Sequence, residues 1–347
     1  MPSSQLQEDE SMKVDLKKTA KISGITALSA VAASATAFAT TKFLMRTALN
    51  RDMPKAAEKA GEQIAGASVD EAFLKHIEEM AVKLENTPTQ VVETVAADGT
   101  KLVGHWYKNP NAKRVILAMH GWRSSWSHDF GSVFEFWHQH DCSVLYAEQR
   151  GQNNSGGDFM GFGLTERFDC LDWANWIVEQ CGDSIPIYLA GVSMGATTVL
   201  MASELPLPAS VHGIFSDCGF TSPDAIWKHI ANDNLHIPYG IRGVVVDNLY
   251  RRRTSFDPCY STTDALKKSN IPVLFVHGSD DHFVPVSMTY ENYKACAGPK
   301  RLIIVPGADH GMSYYIEPKR YEDAALQFWK DFDAYEAIVK KDESTSE

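Results

Sequence analysis

The sequence predicts an α/β protein with a mostly parallel central sheet and helices on both of its faces. Strand-like apolar runs alternate with helix-like runs from residue 114 to residue 337, an order typical of parallel sheets covered by helices. Some of these runs, such as 271–276, are apolar at nearly every position, as expected for strands buried on both faces. Another run, 186–190, leads through Gly-Val-Ser-Met-Gly directly into a helix-like run.

The N-terminal part differs in composition from the rest of the chain. Residues 1–21 are polar, and we expect a disordered tail there. Residues 22–41 contain no charged residue, are rich in Ala, Ser and Thr, and are long enough to cross a bilayer as a helix. Three interpretations stay open for this run: an uncleaved membrane anchor, a secretory signal with a small-residue cleavage site, and a helical extension away from the membrane. The anchor is favoured, with the main domain extracytoplasmic, although basic residues on both flanks give no bias in orientation.

Residues 42–88 predict a helical stalk between this run and the main domain. Apolar residues recur at helical spacing between residues 54 and 86. Ser68, followed three residues later by Glu71, forms a capping box and indicates the start of a helix.

Residues 89–340 predict the main domain. It opens with two strand-like runs around Asp98-Gly99, which is a strong hairpin signal. Helices are expected at 130–140, 166–181, near Tyr290 and at 321–337, with strands between them. Residues 221–270 do not follow this alternation of strands and helices. They predict either a small cap over the site or a helix pair at the periphery.

The Gly-Val-Ser-Met-Gly stretch at 191–195 carries the strongest functional signal. A G-x-S-x-G sequence between a strand and a helix is the context of a nucleophile elbow, in which glycines permit the sharp turn. We therefore expect the hydroxyl of Ser193 at the carboxyl edge of the sheet, above the N-terminus of a helix. A serine hydroxyl needs a base and an orienting acid to act as a nucleophile.

Acidic residues and a histidine follow two later strand-like runs. The run 271–276 is followed by Asp280 and Asp281, and the run 302–305 is followed by His310. Parallel strands end at one edge of a sheet, so loops after these strands can meet the loop that carries the serine. The chain order Ser, Asp, His is the one that the α/β-hydrolase fold uses.

From about residue 89 to residue 332 the sequence resembles α/β-hydrolases of the serine aminopeptidase or prolyl-oligopeptidase-like branch, especially bacterial membrane-anchored hydrolases. The matching stretches are His120-Gly121-Trp122, 149–157, the Ser193 elbow, 278–285 and Asp309-His310-Gly311. The family's acid lies in the pattern Gly, two residues, Asp, two residues, Val-Pro, and only Asp281 fits it. The resemblance therefore implies the catalytic triad Ser193, Asp281 and His310.

Two backbone N–H groups are needed to stabilise the oxyanion of a tetrahedral intermediate. In this fold one belongs to the residue after the nucleophile, here Met194, and the other to the loop after an early central strand. The resemblance implies Trp122 for the second donor, with Arg123 as the alternative. The candidates for lining the substrate pocket are Arg123, Trp126, Phe220 and Trp227.

The predicted activity is hydrolysis of a small-molecule carboxylic ester by acyl transfer to water. A serine peptidase acting on short peptides is the alternative, because the relatives that the sequence resembles include peptidases. A non-catalytic binding protein on the same scaffold is the alternative from another class. Where relatives often have Arg-Gly-His-Gly, this chain has Gln152 in place of the histidine, which bears on packing beside the site and not on the nucleophile.

The composition argues against other functions. The chain has 347 residues, 44% of them apolar, which suits one large domain with an appendage. Its formal net charge of −11 argues against a nucleic-acid partner. The sequence has no phosphate-binding Gly-rich loop, C-x-x-C pair or H-E-x-x-H helix, so we expect no metal and no cofactor. Six scattered cysteines indicate buried free thiols, with a disulfide left open for oxidising surroundings.

Overall fold

The computed structural model describes residues 36–53 and 71–334, and its centre is one eight-stranded sheet. The strands are β1 (Gln90–Val95), β2 (Lys101–Tyr107), β3 (Arg114–Met119), β4 (Cys142–Glu148), β5 (Ile187–Val192), β6 (Val211–Asp217), β7 (Val273–Gly278) and β8 (Lys300–Val305). They lie in the order β1-β2-β4-β3-β5-β6-β7-β8. Pairing is antiparallel at β1, β2 and β4 and parallel from β4 to β8, which confirms the predicted mostly parallel sheet.

Two apolar cores cover the two faces of the sheet. In β3, Val115 and Leu117 face one core, whereas Ile116 and Ala118 face the other, because successive side chains of a strand point to opposite faces. All four side chains are fully buried. The apolar runs seen in the sequence are therefore central strands covered on both sides.

Helices form both covering layers. Their bounds are 36–49, Glu71–Glu85, Trp126–Phe130, Phe134–Gln139, Glu166–Cys181, Met194–Ala202, Pro223–His229, Gly240–Thr254, Thr262–Leu266, Val286–Ala295, Ser313–Ile316 and Pro318–Phe332. The predicted helix at 130–140 is two short helices separated near Gly131, where a Cβ would lie 2.7 Å from the backbone of Met80. Glycine at this position lets the helix Glu71–Glu85 approach closely.

The N-terminal helix (36–49) packs against the main domain. Thr41, Met45 and Leu49 lie four residues apart along one stripe of this helix, and all three are buried. After the helix, Asn50 forms an isolated antiparallel bridge with Phe159. This part of the predicted stalk thus lies on the surface of the domain and does not stand apart from it.

The second helix of the predicted stalk, Glu71–Glu85, also packs on the domain through Phe73, Ala81 and Leu84. The predicted cap at Ser68 and residues 22–35 of the predicted anchor lie outside the described residues. Within 36–53 and 71–334, no helix has both the length and the apolar character needed to cross a bilayer.

The 221–270 insertion forms three helices and a π-helical turn, Ile230–Asn234. Trp227 from this insertion packs in one buried cluster with Met194, which follows β5, and with Val284, from the loop after β7. Asn234 Nδ2 also donates to the carbonyl oxygen of His282 at 3.1 Å. The insertion therefore lies against the loops that carry the predicted site.

Candidate active site

Ser193 lies in a sharp turn between β5 and the helix Met194–Ala202. Its φ is 55° and its ψ is −117°, a conformation that side-chain-bearing residues rarely adopt and that characterises a nucleophile elbow. A Cβ on Gly191 would collide with the backbone of Gly195, and a Cβ on Gly195 would collide with the carbonyl oxygen of Met119. Glycine is therefore required on both sides of the serine.

His310 connects the serine to a carboxylate. Its Nε2 lies 3.0 Å from Ser193 Oγ, and its Nδ1 lies 2.7 Å from Asp281 Oδ2. An ionised carboxylate only accepts hydrogen bonds, so Nδ1 carries the proton and Nε2 can accept one from the serine. The three side chains meet because β5, β7 and β8 end at the same edge of the sheet.

Asp281 has a fixed orientation. Its Oδ1 accepts from the backbone N–H groups of Phe283 and Val284, at 2.9 and 2.8 Å. Its Oδ2 lies 3.1 Å from Nε2 of the buried His277. This Nε2 also lies 2.9 Å from the carbonyl oxygen of Val284, so it must be the protonated nitrogen of that ring. His277 therefore donates to the same carboxylate oxygen as His310.

Asp280 and His282, the polar neighbours of Asp281, take no part in the hydrogen bonds that join Ser193, His310 and Asp281. Asp280 is exposed and accepts from Ser279 Oγ at 2.6 Å. His282 is also exposed, and its Nδ1 lies 3.3 Å from Asp309 Oδ2. Asp281, and not Asp280, is thus the acid that reaches His310.

Burial and charge set the protonation of the pair. Burial raises the pKa of the Asp281 carboxyl, but His310 and His277 outweigh this effect, so the pKa lies well below its usual value. Burial works against protonation of the His310 imidazole, yet its pKa is raised because the ionised Asp281, 2.7 Å from Nδ1, favours the imidazolium. Asp281 is therefore ionised at neutral pH and stabilises the cation that forms when His310 accepts a proton.

The loop after β3 runs against the serine. A Cβ on Gly121 would lie 3.3 Å from Ser193 Cβ. Gly121 N donates to Asp129 Oδ2 at 2.6 Å, and Arg123 N donates to Gln152 Oε1 at 2.5 Å. Two of the three consecutive N–H groups in this loop are therefore already engaged, including that of Arg123, the alternative oxyanion donor.

The N–H between them belongs to Trp122. Across residues 36–53 and 71–334, no protein group accepts from the backbone N–H of Trp122 or of Met194. Two unpaired backbone donors beside a nucleophile are what an oxyanion hole requires. These are the two donors predicted from the sequence.

His120 supports the loop and does not act as a second base. Its Nδ1 lies 2.8 Å from the carbonyl oxygen of Gly121, and its Nε2 accepts from Gln149 N at 3.0 Å. Burial lowers the pKa of this ring, so it stays neutral. Both ring nitrogens are occupied in holding backbone.

Two predicted pocket residues belong to the buried cluster that includes the residue after the serine. Phe220 and Trp227 are buried in the cluster that contains Met194. Trp126, by contrast, stacks on His105 with ring centroids 4.1 Å apart and belongs to the core of the sheet. It begins a helix that packs on β3 and β4, so its position does not fit the predicted pocket role.

Arg123, the fourth candidate, points away from the serine. Its guanidinium donates to backbone carbonyls in the last turn of the N-terminal helix and just after it, at Thr47, Asn50 and Arg51. The guanidinium of Arg123 therefore bonds to the protein backbone and does not line a substrate pocket as predicted.

Asp217 and Cys218 belong to the site although the sequence suggested no role for them. Asp217 accepts from Ser193 N through its carbonyl oxygen at 2.9 Å, and burial raises the pKa of its carboxyl to about 6. Burial also raises the pKa of Cys218 to about 11, so the thiol beside His310 is protonated at neutral pH. The sequence signal that could have found them is their position at the end of the apolar run of β6.

Within residues 36–53 and 71–334, two groups of side chains combine ligand types found in metal sites. In the first, ligand atoms of Cys218, Asp281 and His310 lie within 4.8 Å of one another. Here the acid and the imidazole already bond to each other. The second group, in the insertion, consists of Asp224, Asp247 and Cys259 and is more exposed.

Comparison with known proteins places these features in context. A sequence profile of the alpha/beta hydrolase family matches residues 115–324. The uncharacterized protein YqkD of Bacillus subtilis (strain 168) is 26% identical over 187 residues, which cover 54% of this chain and 61% of that protein. The chain thus spans less than two thirds of the length of YqkD. The non-heme haloperoxidase of Rhodococcus erythropolis is 25% identical over 260 residues, or 62% of this chain and 92% of that protein.

Solved structures share the fold at lower identity. The esterase Pf2001 of Pyrococcus furiosus superposes with a TM-score of 0.57 at 20% identity, over 71% of this chain and 93% of that chain. Est1E from Butyrivibrio proteoclasticus, with ferulic acid bound, superposes with a TM-score of 0.54 at 20% identity, over 70% and 100%. The profile match covers more than half of the sequence, and the chain belongs to the alpha/beta hydrolase family.

Proposed function

We propose that this protein is a serine hydrolase that cleaves carboxylic esters through an acyl-enzyme. The observation that carries the proposal is the hydrogen-bonded chain from Ser193 Oγ through His310 to Asp281, with distances of 3.0 and 2.7 Å. Membership of the alpha/beta hydrolase family supports hydrolase activity.

In the proposed reaction, His310 Nε2 takes the proton from Ser193 Oγ as this oxygen attacks the carbonyl carbon. The N–H groups of Trp122 and Met194 stabilise the resulting oxyanion. The imidazolium, held by Asp281, then gives its proton to the departing alkoxide, which leaves as an alcohol while the acyl group stays on the serine. Water repeats the sequence and releases the carboxylic acid and the free serine.

The surroundings of the serine favour an apolar acyl group. Phe162, Phe220 and Trp227 form a buried aromatic cluster with Met194. The partly buried Phe283 adjoins this cluster, and its ring centroid lies 5.1 Å from that of His310. Esterases are among the structures that share this fold, which supports esters as the first substrate class to test.

The proposal is tested with a fluorophosphonate probe, which labels an activated serine covalently. We expect labelling of the wild type and none of Ser193→Ala. Failure of well-folded wild-type protein to label would favour a non-catalytic binding protein instead. A panel of p-nitrophenyl esters run beside aminoacyl-nitroanilides then separates esterase from peptidase, the alternative suggested by the resemblance to serine aminopeptidases.

We further propose that residues 22–41 attach the protein to a membrane, with the main domain on the extracytoplasmic side. This proposal rests on the charge-free sequence of the run and its length. The structure counts against it at one end, because residues 36–41 belong to the helix that packs on the domain, with Thr41 buried. Fractionation of cells, combined with the mass of the mature N-terminus, tests it. Recovery of the protein in the membrane fraction with an intact N-terminus is expected. Cleavage near residue 37 would identify a secretory signal.

A further inference from the structure

The segment 36–53 contacts the loop that carries the Trp122 donor. The guanidinium of Arg123 donates to a carbonyl oxygen in the last turn of the N-terminal helix, that of Thr47 at 2.8 Å, and to two just after it, those of Asn50 at 2.6 Å and Arg51 at 3.1 Å. The last carbonyls of a helix have no partner within it, and the partial negative charge there attracts a cation. Arg123 therefore acts as a C-terminal cap for a helix some seventy residues earlier in the chain.

Trp122 is tied to the same helix end. Its indole Nε1 donates to the carbonyl oxygen of Ala48 at 2.9 Å. Leu49, next in the chain, is buried in the apolar cluster against which Trp122 packs. The residue that offers the free N–H and the residue after it are thus both bonded to residues 47–51.

The backbone of Arg123 has an unfavourable conformation that its neighbouring contacts maintain. Its φ is 53°, in the left-handed region that costs a non-glycine residue about 1 kcal/mol or more. Such a conformation persists when neighbouring contacts determine it. Here Gln152 Oε1 fixes the amide on one side, and the helix carbonyls fix the guanidinium on the other.

We infer that the segment 36–53 is a clamp that sets the position of the Trp122 N–H, and that Arg123 is the positioning residue through which it acts. The inference rests on the proposed function, because the position of this donor matters only if an oxyanion forms. Removing an oxyanion donor completely lowers turnover by about 10²–10³-fold. Loosening the clamp displaces the donor without removing it, so we expect kcat to fall by about 10- to 100-fold.

The test uses full-length variants that attack the clamp from both sides. Arg123→Ala removes the cap from the loop, and Leu49→Ser weakens docking of the helix without changing the loop. Arg320→Ala is the matched control, because it removes an arginine of the helix Pro318–Phe332 from an exposed ion pair with Glu317. The measurements are kcat and KM for a p-nitrophenyl ester, the rate of reaction with a fluorophosphonate, and the thermal unfolding midpoint.

We expect Arg123→Ala and Leu49→Ser to lower kcat and the fluorophosphonate rate, with KM within about twofold of wild type. Arg320→Ala should leave all three values unchanged. The double variant should lose little more than the larger single loss, because both changes release one clamp. Arg123→Lys, which keeps the charge but cannot reach three carbonyls, should lie between wild type and Arg123→Ala. If Arg123→Ala does not fold, Arg123→Lys takes its place in the test.

Wild-type kcat in folded Arg123→Ala or Arg123→Lys would overturn the clamp while leaving the proposed function intact. Losses confined to the unfolding midpoint or to KM would also overturn it. An inactive and unlabelled wild type would instead show that the proposed function itself is wrong.

Discussion

Replacement of Asp281 by asparagine tests how the carboxylate governs the proton on His310. The asparagine can adopt two orientations. In one, its oxygen keeps the place of Oδ1, which accepts from the N–H groups of Phe283 and Val284 at 2.9 and 2.8 Å. Its NH₂ group then faces Nδ1 of His310 and Nε2 of His277.

The other orientation is unfavourable, because it turns the NH₂ group towards two backbone N–H groups. An unsatisfied buried donor costs about 1–3 kcal/mol, so the two together cost about 2–6 kcal/mol. The asparagine therefore presents its NH₂ group to His310, whose Nδ1 must become the acceptor. The proton moves to Nε2, which can no longer accept the proton of Ser193. Loss of the correct tautomer in a triad lowers kcat by about 10⁴-fold, or about 5 kcal/mol of transition-state stabilisation.

The assay is steady-state hydrolysis of a p-nitrophenyl ester, with kcat and KM determined separately. Asp281→Asn should lower kcat by about 10⁴-fold and change KM little. Asp280→Asn is the matched control, since this neighbouring carboxylate is exposed, accepts from Ser279 Oγ and has no bond to His310. A kcat for folded Asp281→Asn within tenfold of wild type would refute the assignment. So would an equal loss in Asp280→Asn.

Three further outcomes are expected. The activity kcat/KM should fall as the pH drops through the pKa of His310, because the imidazolium cannot accept a proton. Asp281 raises this pKa against the effect of burial, so an apparent pKa below that of an ordinary histidine would contradict the assignment. Burial raises the pKa of Asp217 from 3.8 to about 6, so the stability contributed by its protonated form is complete below pH 4 and lost as the pH rises through 6. Asp217→Asn should therefore match wild type in the free energy of unfolding below pH 4 and exceed it by about 3 kcal/mol above pH 7, as measured by urea unfolding; equal stability at both pH values would rule this out. Gly195→Ala should abolish fluorophosphonate labelling and lower the unfolding midpoint, because the added methyl group collides with the carbonyl oxygen of Met119; labelling at the wild-type rate would show that the turn can relax.

The sequence predicted the sheet and the loops that carry Ser193, Asp281 and His310. Each of these residues follows an apolar run, and parallel strands bring the residues after them to one edge. Local pattern and topology together were therefore sufficient.

What the sequence could not predict depends on contacts between distant segments. Trp126 follows the oxyanion loop closely in sequence, but the direction of its side chain is set by packing on His105. Arg123 has the polarity of a pocket residue, yet its partners come from residues 47–51. No periodicity or motif in the chain encodes that contact.

The position of residues 36–53 has a practical consequence for dividing the chain into fragments. A fragment that starts at residue 89 would keep every strand and the three side chains at the sheet edge. It would also uncover the apolar surface on which Met45 and Leu49 lie, and such a patch promotes self-association. Poor solubility or weak turnover of that fragment would then result from the loss of residues 36–53. A soluble preparation should therefore begin ahead of residue 36.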